Sequence, residues 1–517
     1  MSLSGSALAL ATYSTAMLLP LVLCMLIYSI AFDPLRHFPG PFTFADLQRY
    51  GPVYRQGPNR LVFNTVEALH DIYLHPRVVK SRLYRYSSLE GQQNLLSTLD
   101  RQRRRQKRKV YGRLLSERAL HAFEPTMHAE TTVFLRQLRA AAGAGDPVNM
   151  TPLCERFATD VSGLLAFGHA LETQTKEENR FLPRAIMGRL ALASIFVAWP
   201  MLSTIGMPKF VRWWKKATFD AFRTLLMRII NTRVALPRDA KHDFYSIAST
   251  DAVYNSGGGS GDGQQQPATA EDTRTLWGEA TFLVPAGGMT TAGTLTAVLF
   301  YLSRHPAAYA RLAAEIRTTF ADAKAIQGGP LLSDCAYLRA VIDESLRLSV
   351  PTTSMPWREE EGEEEEDVHC SPAEKSPAAE PLVIDNHVVP RATMVTVSTY
   401  CIMHNPAYFE DPFDFRPERW LNNKKEEEGG ARGGNNRENL LRRAFVPFGL
   451  GEAMCLGKAM AYLETSLVVA KTLWYFDFAR APGDAGMLGG GCPAARDGAR
   501  ARVDEFQLYD SIVSDHN

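Results

Sequence analysis

Phe448-Gly449-Leu450-Gly451-Glu452-Ala453-Met454-Cys455-Leu456-Gly457 is the most informative stretch of this sequence. Apolar residues then recur three and four positions apart, which predicts an amphipathic helix through Met460, Leu463, Leu467, Ala470 and Trp474. The three glycines permit a tight turn in which backbone N–H groups converge on the sulfur of Cys455. The start of the helix adds partial positive charge, so the pattern favours a thiolate over a thiol.

Two interpretations of Cys455 are open. A single cysteine in a turn is most often a small buried residue without chemistry. Here Phe448 stands seven residues earlier, two glycines intervene and a helix follows. This combination favours a rigid, shielded thiolate, which is what the axial ligand of a haem iron requires. We therefore predict that Cys455 binds haem iron.

Glu344-Ser345-Leu346-Arg347 is a second signal. An acid and a base three positions apart share one helix face and can form a bidentate pair. Alone the pattern is weak, because such pairs usually lie on the surface. It gains weight from Phe415-Arg416-Pro417-Glu418-Arg419-Trp420, which supplies a second arginine ahead of the cysteine loop.

Ala286-Gly287-Gly288-Met289-Thr290-Thr291 interrupts a run from Trp277 to Leu302 that is otherwise typical of one long helix. Each glycine inside a helix costs about 1 kcal/mol relative to alanine. Either a flat or bulky group approaches the backbone there, or another helix packs closely. On this segment alone we favour packing. Pro285 predicts a local kink with freed carbonyl groups.

Arg101–Lys109 contains seven basic residues in nine. Such a run is most often a solvated helix face. Nucleic-acid binding is disfavoured because no aromatic residues are interleaved for stacking on bases. As a functional surface, the run is expected to dock an acidic protein.

Composition limits the remaining possibilities. The chain has 517 residues, 45% of them hydrophobic, and a formal net charge of +1, which excludes overall disorder and a global attraction to nucleic acid. Its seven scattered cysteines form no CxxC pair, so no disulfide scaffold is expected. Helical patterns interrupted by short β-branched stretches predict a mainly α fold with small β-sheets. Polar runs at 257–263, 359–367 and 422–439 are expected to be unstructured.

Residues 1–32 contain no Asp, Glu, Lys or Arg, and their apolar run exceeds the roughly 20 residues that a membrane-spanning helix needs. A cleaved signal peptide is the alternative, but its basic start is missing. Arg36 follows the run and no basic residue precedes it, which predicts that the large domain faces the cytosol. No later run is expected to be long and uncharged enough to span a membrane. We therefore predict a transmembrane anchor at 1–32, a proline-rich hinge at 33–41 and one large domain at 42–517.

Taken in order, these motifs resemble those of the membrane-bound cytochromes P-450, and most of all fungal monooxygenases of secondary metabolism. The resemblance covers nearly the whole chain and includes Pro39-Gly40-Pro41, Tyr50-Gly51-Pro52-Val53-Tyr54-Arg55 and Ala166-Phe167-Gly168. It implies the cytochrome P-450 fold, with a single large haem domain behind an N-terminal transmembrane helix.

The resemblance also implies roles for individual residues. Cys455 is the expected axial ligand of haem iron, in a loop with Phe448, Gly449, Gly451 and Gly457. Thr290, with Thr291 beside it, is the expected distal threonine of oxygen activation. The other expected participants are Gly287 and Gly288 over the porphyrin, Arg104, Arg108 and Arg358 at the haem propionates, and a supporting network of Glu344, Arg347 and Arg419.

Two residues depart from the family pattern. Met289 stands where an acid that helps to relay protons usually precedes the threonine. Ala453 stands where a basic propionate ligand is usual. The loss of such a charge-assisted hydrogen bond costs about 1.5–3 kcal/mol of haem binding.

The expected activity is that of a haem-thiolate monooxygenase, which inserts one oxygen atom from O2 into a lipophilic small molecule of fungal secondary metabolism. Haem b is the expected cofactor, and NADPH-cytochrome P-450 reductase the expected electron donor. The expected location is the endoplasmic reticulum membrane, single-pass, with the catalytic domain in the cytosol. Pocket walls are expected at 283–291, 351–355 and 195–202.

Two alternatives remain open at this point. Met289 motivates a haem-thiolate isomerase or dehydratase of the same fold, since a missing acid matters less when no protons are delivered to oxygen. Met289 and Ala453 together motivate a catalytically impaired, membrane-anchored haem-binding protein.

Overall fold

The computed structural model describes residues 51–57, 59–87, 93–249, 251, 253–254, 270–361, 380–421, 436–495, 500–509 and 512–514. These residues fall into two compact units. The smaller unit comprises the described residues up to Ser81 together with those of Pro356–Ser398. The larger unit comprises the described residues of Arg82–Met355 together with those from Thr399 onward. The predicted anchor at 1–32 and hinge at 33–41 lie outside the described residues, and their boundaries stay predictions.

The smaller unit contains every strand in the described part of the chain. These strands are β1 (Val53–Gly57), β2 (Arg60–Phe63), β3 (Val78–Lys80), β4 (Arg358–Glu360), β5 (Leu382–Ile384), β6 (His387–Val389) and β7 (Met394–Val397), with one helix, α1 (Val66–Leu74). Five strands form a sheet in the order β1-β2-β7-β4-β3, in which β2 and β7 are parallel. The hairpin of β5 and β6 turns at Asp385 and Asn386, whose φ angles are 46° and 62°. Asp and Asn tolerate such positive φ values better than most residues.

The acidic run at 359–367 is predicted to be unstructured, but its first two residues lie in a strand. Glu359 and Glu360 belong to β4, which pairs with β3 and β7, so they are not part of a loop. The Arg77 guanidinium lies 3.1 Å from the Glu360 carboxylate. The backbone carbonyl of Arg77 accepts the N–H of Glu361 at 2.7 Å. Backbone pairing and a nearby cation therefore outweigh the repulsion among these carboxylates. Residues 362–379 lie outside the described part.

The larger unit is helical. Its helices are α2 (Arg101–Leu114), α3 (Glu117–Ala144), α4 (Met150–Phe167), α5 (Leu182–Ala198), α6 (Met201–Thr204), α7 (Met207–Trp214), α8 (Lys216–Val234), α9 (Phe244–Ala248), α10 (Ala270–Val284), α11 (Thr290–Arg304), α12 (Pro306–Thr319), α13 (Pro330–Ser333), α14 (Ala336–Leu348), α15 (Thr399–Met403), α16 (Asn436–Ala444) and α17 (Lys458–Tyr475). The predicted mainly α fold with small sheets is therefore confirmed. Asn436–Asn439, which the sequence assigns to an unstructured insert, begins α16 instead.

Local sequence explains where α4 begins and ends. The side chain of Asn149 accepts the N–H of Thr151 at 3.0 Å, which satisfies a donor that the first helical turn leaves open. Gly168 ends the helix at a φ of 62°, a left-handed conformation that glycine adopts without steric cost.

The centre of the larger unit is the pair α10 and α11, joined by a π-helical segment at Pro285–Met289. Every residue of α11 from Thr291 to Leu302 is buried, because small and apolar side chains cover all its faces. α4 packs along the π-helical segment, and α14 and α17 pack on α11.

Two stretches of the described residues are long and apolar enough to cross a membrane, Glu177–Ala198 and Arg274–Arg304. The expectation that no run after the N-terminus meets this criterion is therefore wrong. In Arg274–Arg304, 72% of the apolar window is buried, as is usual for the core helix of a globular protein.

Candidate active site

The cysteine loop is a tight turn that enters α17. Gly449 and Gly451 have φ angles of 72° and 69°, which favour glycine. The N–H of Cys455 donates to the carbonyl of Phe448 at 2.8 Å and closes the turn. Gly457 has an ordinary φ of −81°, and a Cβ atom there meets the Cys455 sulfur at 3.8 Å, an ordinary contact. The turn geometry therefore depends on Gly449 and Gly451 rather than on Gly457.

The Cys455 sulfur is less acidic than the sequence pattern indicates. The residue is exposed, yet enough protein surrounds its sulfur for burial to raise the pKa of the thiol. The N–H of Gly457 and the charge of Arg108 lower the pKa, but by less. The predicted thiolate is thus not favoured by the protein alone. A metal ion bound to the sulfur would supply the missing stabilisation, because metal coordination deprotonates a thiol.

Arg108 and Arg104 extend from α2 toward the cysteine loop. The Arg108 guanidinium donates to the carbonyl of Met454 at 2.9 Å, directly before Cys455. Arg104 is buried, lies 3.5 Å from the Glu452 carboxylate and donates to the Leu99 carbonyl at 3.3 Å. The structure therefore brings both arginines beside the loop. Arg108 is the cation that acts on Cys455, and Ala453 supplies none.

Glu452 is a site residue that sequence reasoning missed. Its carboxylate forms ion pairs with Arg101 at 3.0 Å and with Arg105. Hydrogen bonds from Arg101 and Arg105 lower the pKa of Glu452 to about 2. The available signal was charge complementarity, since one acid stands in the loop and seven basic residues stand in 101–109.

The basic run 101–109 is not uniformly a surface. Lys107 is fully buried and forms an ion pair with Glu279 of α10 at 2.8 Å. The hydroxyl of Tyr111 donates to the same carboxylate at 2.9 Å. Arg104 and Lys107 therefore cannot contribute to a docking surface. Arg103, Arg105 and Lys109 are exposed.

Glu344, Arg347 and Arg419 meet in one buried network. Two nitrogens of Arg347 contact the two Glu344 oxygens at 2.9 and 3.0 Å, and Arg419 contacts Glu344 at 3.0 Å. Burial alone raises the pKa of Glu344, but the two arginines outweigh it and hold that pKa below its ordinary value. Glu344 is therefore ionised in the native protein.

The network is connected to the chain that enters the cysteine loop. The indole N–H of Trp420 donates to Glu344 at 2.9 Å. The Trp420 ring packs on Phe445 with 4.5 Å between ring centroids, and Phe445 precedes Phe448 by three residues. Glu344 thus fixes the start of the loop through one aromatic contact.

A π-helical segment begins at Pro285, where the sequence predicts a kink with freed carbonyl groups. The kink itself stays a prediction. The Thr290 hydroxyl donates to the Ala286 carbonyl at 2.8 Å, which satisfies one carbonyl of this irregular stretch. Thr290 is partly exposed, whereas Thr291 is buried. Met289 is buried in the apolar core, so its side chain offers no proton-carrying group.

Gly287 and Gly288 face α4. A Cβ atom added at Gly287 would lie 2.8 Å from the Ser162 hydroxyl. One added at Gly288 would lie 3.1 Å from the Ala158 carbonyl oxygen. Close packing of the π-helical segment on α4 therefore explains both glycines. Their predicted position over a porphyrin stays a prediction.

Arg358 belongs to the smaller unit, at the first position of β4. Its guanidinium donates to the Trp357 carbonyl at 3.0 Å and lies 5.0 Å from the centroid of the Tyr73 ring. Its predicted role at a propionate stays a prediction.

A cavity of about 600 Å³ lies among α5, α7, α8 and α10. Of the predicted pocket walls, only Val284 and Pro285 line it, and 195–202 and 351–355 do not. Phe222, Leu225 and Leu226 of α8 also line the cavity, and no sequence motif predicts this contribution.

The donor set around Cys455 fits haem. A sulfur at the start of a helix is a suitable soft ligand for iron, and the guanidinium of Arg108 beside it suits a carboxylate. The buried network of Glu344 holds the loop in one conformation, which a rigidly positioned iron ligand would need. The residues around Cys455 are therefore chemically suitable for binding haem.

Comparison with known proteins gives the same result. Residues 27–360 and 375–486 match the family model for cytochrome P-450. Cytochrome P-450 monooxygenase AKT7 of Alternaria alternata is 30% identical over 97% of this chain and 95% of its own length. Cytochrome P-450 monooxygenase poxM of Penicillium oxalicum is 29% identical over 89% of this chain and 87% of its own. The chain belongs to the cytochrome P-450 family of haem-thiolate monooxygenases.

Proposed function

We propose that this monooxygenase inserts one oxygen atom from O2 into a lipophilic small molecule of fungal secondary metabolism, with Cys455 as the ligand of haem iron. The observation that carries the proposal is the closed turn that holds Cys455 at the start of α17 with the Arg108 guanidinium beside it. The similar proteins are named monooxygenases and come from fungi. They do not favour an isomerase, a dehydratase or an impaired haem-binding protein.

Different side chains would bind different parts of the cofactor. Cys455 would bind the iron, and Arg104 and Arg108 would hold a propionate through charge-assisted hydrogen bonds. When bound, haem supplies the oxygen chemistry, with a thiolate that favours O–O cleavage.

Thr290 is proposed to position the proton donor. Its hydroxyl donates a hydrogen bond to the Ala286 carbonyl at 2.8 Å. The hydroxyl oxygen therefore remains able to accept a hydrogen bond from water. Met289 and the buried Thr291 are less suited, because the first is apolar and the second is enclosed. Proton delivery in this chain therefore depends on Thr290 and water.

The test is the stoichiometry of NADPH consumed, O2 consumed and product formed with a reductase present. Thr290→Ala is expected to consume electrons with much less product, and Thr290→Ser to restore coupling, since serine keeps the hydroxyl. Product formation without O2 or NADPH would contradict the monooxygenase proposal. Unchanged coupling in Thr290→Ala would contradict the role of Thr290.

We propose NADPH-cytochrome P-450 reductase as the electron donor, docked on the exposed part of the basic run. Arg103, Arg105 and Lys109 supply positive charge there, although Glu452 offsets part of it. Arg103→Glu with Lys109→Glu should raise the reductase concentration needed for half-maximal rate. Arg139→Glu, on the exposed face of α3, is the control. Equal effects of the two would contradict this surface.

We propose that the protein resides in the endoplasmic reticulum membrane with its catalytic domain in the cytosol. An exposed apolar surface on α6 and α7 supports membrane association, since Met201, Trp213 and Trp214 are each 70–71% exposed. Exposed tryptophans suit the bilayer interface. Trp213→Ser with Trp214→Ser should weaken binding to phosphatidylcholine vesicles, and unchanged binding would contradict the contribution of this surface.

A further inference from the structure

The cavity bounded by α5, α7, α8 and α10 carries a strong charge asymmetry. Four of its lining residues are arginines, and no aspartate or glutamate is among the lining residues in the described part of the chain. The arginines come from four different helices: Arg189 from α5, Arg212 from α7, Arg223 from α8 and Arg274 from α10. A cavity whose charged side chains all have the same sign, and whose other walls have a low dielectric constant, raises the local concentration of ions of the opposite charge.

The arginines are close to the surface. Arg212, Arg223 and Arg274 are exposed, and Arg189 is half-buried with its guanidinium 5.0 Å from the centroid of the Phe222 ring. Asp220 acts electrostatically on Arg212 and Arg223, but its carboxylate forms its ion pair with Lys216. Among the described side chains, the positive charges of Arg212 and Arg223 therefore exceed the negative charge of Asp220 at this end of the cavity.

The remaining walls are apolar. They are formed mainly by aliphatic and aromatic residues, such as Leu182, Ile186, Leu225, Trp277 and Phe282. A volume of about 600 Å³ is within the range that holds an ordinary small-molecule ligand. The cavity thus combines a basic end with an apolar interior.

The cavity also has a direction. Arg274 and Pro285 both line it, and Pro285 follows Arg274 by eleven positions, about 16 Å along the helical axis. Thr290 follows Pro285 by little more than one further turn. A long molecule that enters with its polar end at the arginines therefore extends its apolar part toward Thr290.

We propose that the substrate is amphipathic, a lipophilic molecule with an anionic group that Arg212, Arg223 and Arg189 bind at the cavity mouth. This inference rests on the proposed function and specifies its substrate class. Arginine binds carboxylate and phosphate oxygens through two parallel hydrogen bonds, whereas a neutral ester or alcohol forms no charge-assisted bond.

The test compares four probes that share one alkyl chain: tetradecanoate, tetradecyl phosphate, methyl tetradecanoate and tetradecan-1-ol. Their binding to the haem-loaded protein is measured by equilibrium dialysis at low ionic strength. We expect at least one anion to bind about tenfold more tightly than the neutral probes, as a charge-assisted hydrogen bond implies. The anion that binds more tightly identifies the group as carboxylate or phosphate. Equal binding of all four probes would overturn the proposal.

Variants locate the interaction. Arg212→Gln with Arg223→Gln should abolish the preference for the anion and leave binding of the alcohol unchanged. Arg228→Gln is the matched control, because Arg228 is an exposed arginine of α8 that does not line this cavity. An anion preference that survives in the double variant would overturn the assignment. The spectrum of the reduced carbon monoxide complex, recorded on the same samples, separates this outcome from a failure to bind haem.

Discussion

At the scale of single residues, Glu344 shows why one carboxylate can hold a site together. It accepts hydrogen bonds from Arg347, Arg419, Trp420 and the backbone N–H of Arg416, and it is fully buried. Taking this carboxylate out of water is unfavourable, and only the complete set of partners offsets the cost. The loss of the charge therefore leaves the guanidiniums of Arg347 and Arg419 with carbonyl acceptors but without the carboxylate that neutralises them.

Glu344→Gln is expected to lower the free energy of unfolding by about 3–5 kcal/mol, because it breaks a buried ion pair from one side. Chemical denaturation of wild type and variant measures the difference. Arg416→Gln is the control, since the Arg416 side chain pairs with Asp411 in a half-exposed position and is worth less than about 1 kcal/mol. Equal losses in the two variants would contradict the account of the network.

At the scale of elements, the contact between α4 and the π-helical segment sets how closely two helices approach. Gly287 faces a side-chain atom, the hydroxyl of Ser162, whereas Gly288 faces the backbone of Ala158. A side chain can be removed by mutation and a backbone cannot. The two glycines therefore differ in how a Cβ atom can be accommodated.

Gly287→Ala is expected to destabilise the protein by about 1–3 kcal/mol through overpacking. Ser162→Ala should recover much of this loss, because it removes the atom that lies 2.8 Å from the new Cβ. Ser162→Ala should not rescue Gly288→Ala. A double-mutant cycle on unfolding free energies measures the coupling. Additive effects of Gly287→Ala and Ser162→Ala would show that the packing explanation is wrong.

Local patterns predicted some of these elements and not others. The Glu344–Arg347 pair follows from the spacing of the two residues within one helix. The irregular segment that begins at Pro285 follows from the proline itself. By contrast, Arg108 meets Met454 across 346 residues, and Lys107 turns inward to Glu279 across 172 residues. Such contacts depend on tertiary packing, as do the four arginines of the cavity. A nearly continuous run of basic residues cannot by itself distinguish Lys107, which is buried, from Lys109, which is exposed.

At the scale of the whole molecule, a buried acid links stability to pH. Glu464 of α17 is buried, and neither carboxylate oxygen has a hydrogen-bond partner among the described residues. Burial raises the pKa of Glu464 from its ordinary value of 4.5 to about 8. Between these two values the native state binds one proton more than the unfolded chain. The free energy of unfolding therefore falls as pH rises through this window.

Glu464→Gln should remove this dependence. Relative to the variant, the wild type is expected to lose about 1.4 kcal/mol of stability per pH unit between about pH 5.5 and 7.5. Guanidinium denaturation at several pH values measures the slope. Glu178→Gln, at an exposed position, should leave the slope of the wild type unchanged. Parallel curves for the wild type and Glu464→Gln would contradict a neutral buried carboxyl group.

The central claim is that the Cys455 sulfur binds haem iron, and the difference spectrum of the reduced carbon monoxide complex tests it most directly. The wild type and Cys492→Ala, which changes an exposed cysteine outside the loop, are expected to show the absorption of thiolate-ligated haem. Cys455→Ala is expected to lose it. Survival of the thiolate spectrum in Cys455→Ala, or its absence from the haem-loaded wild type, would contradict the account.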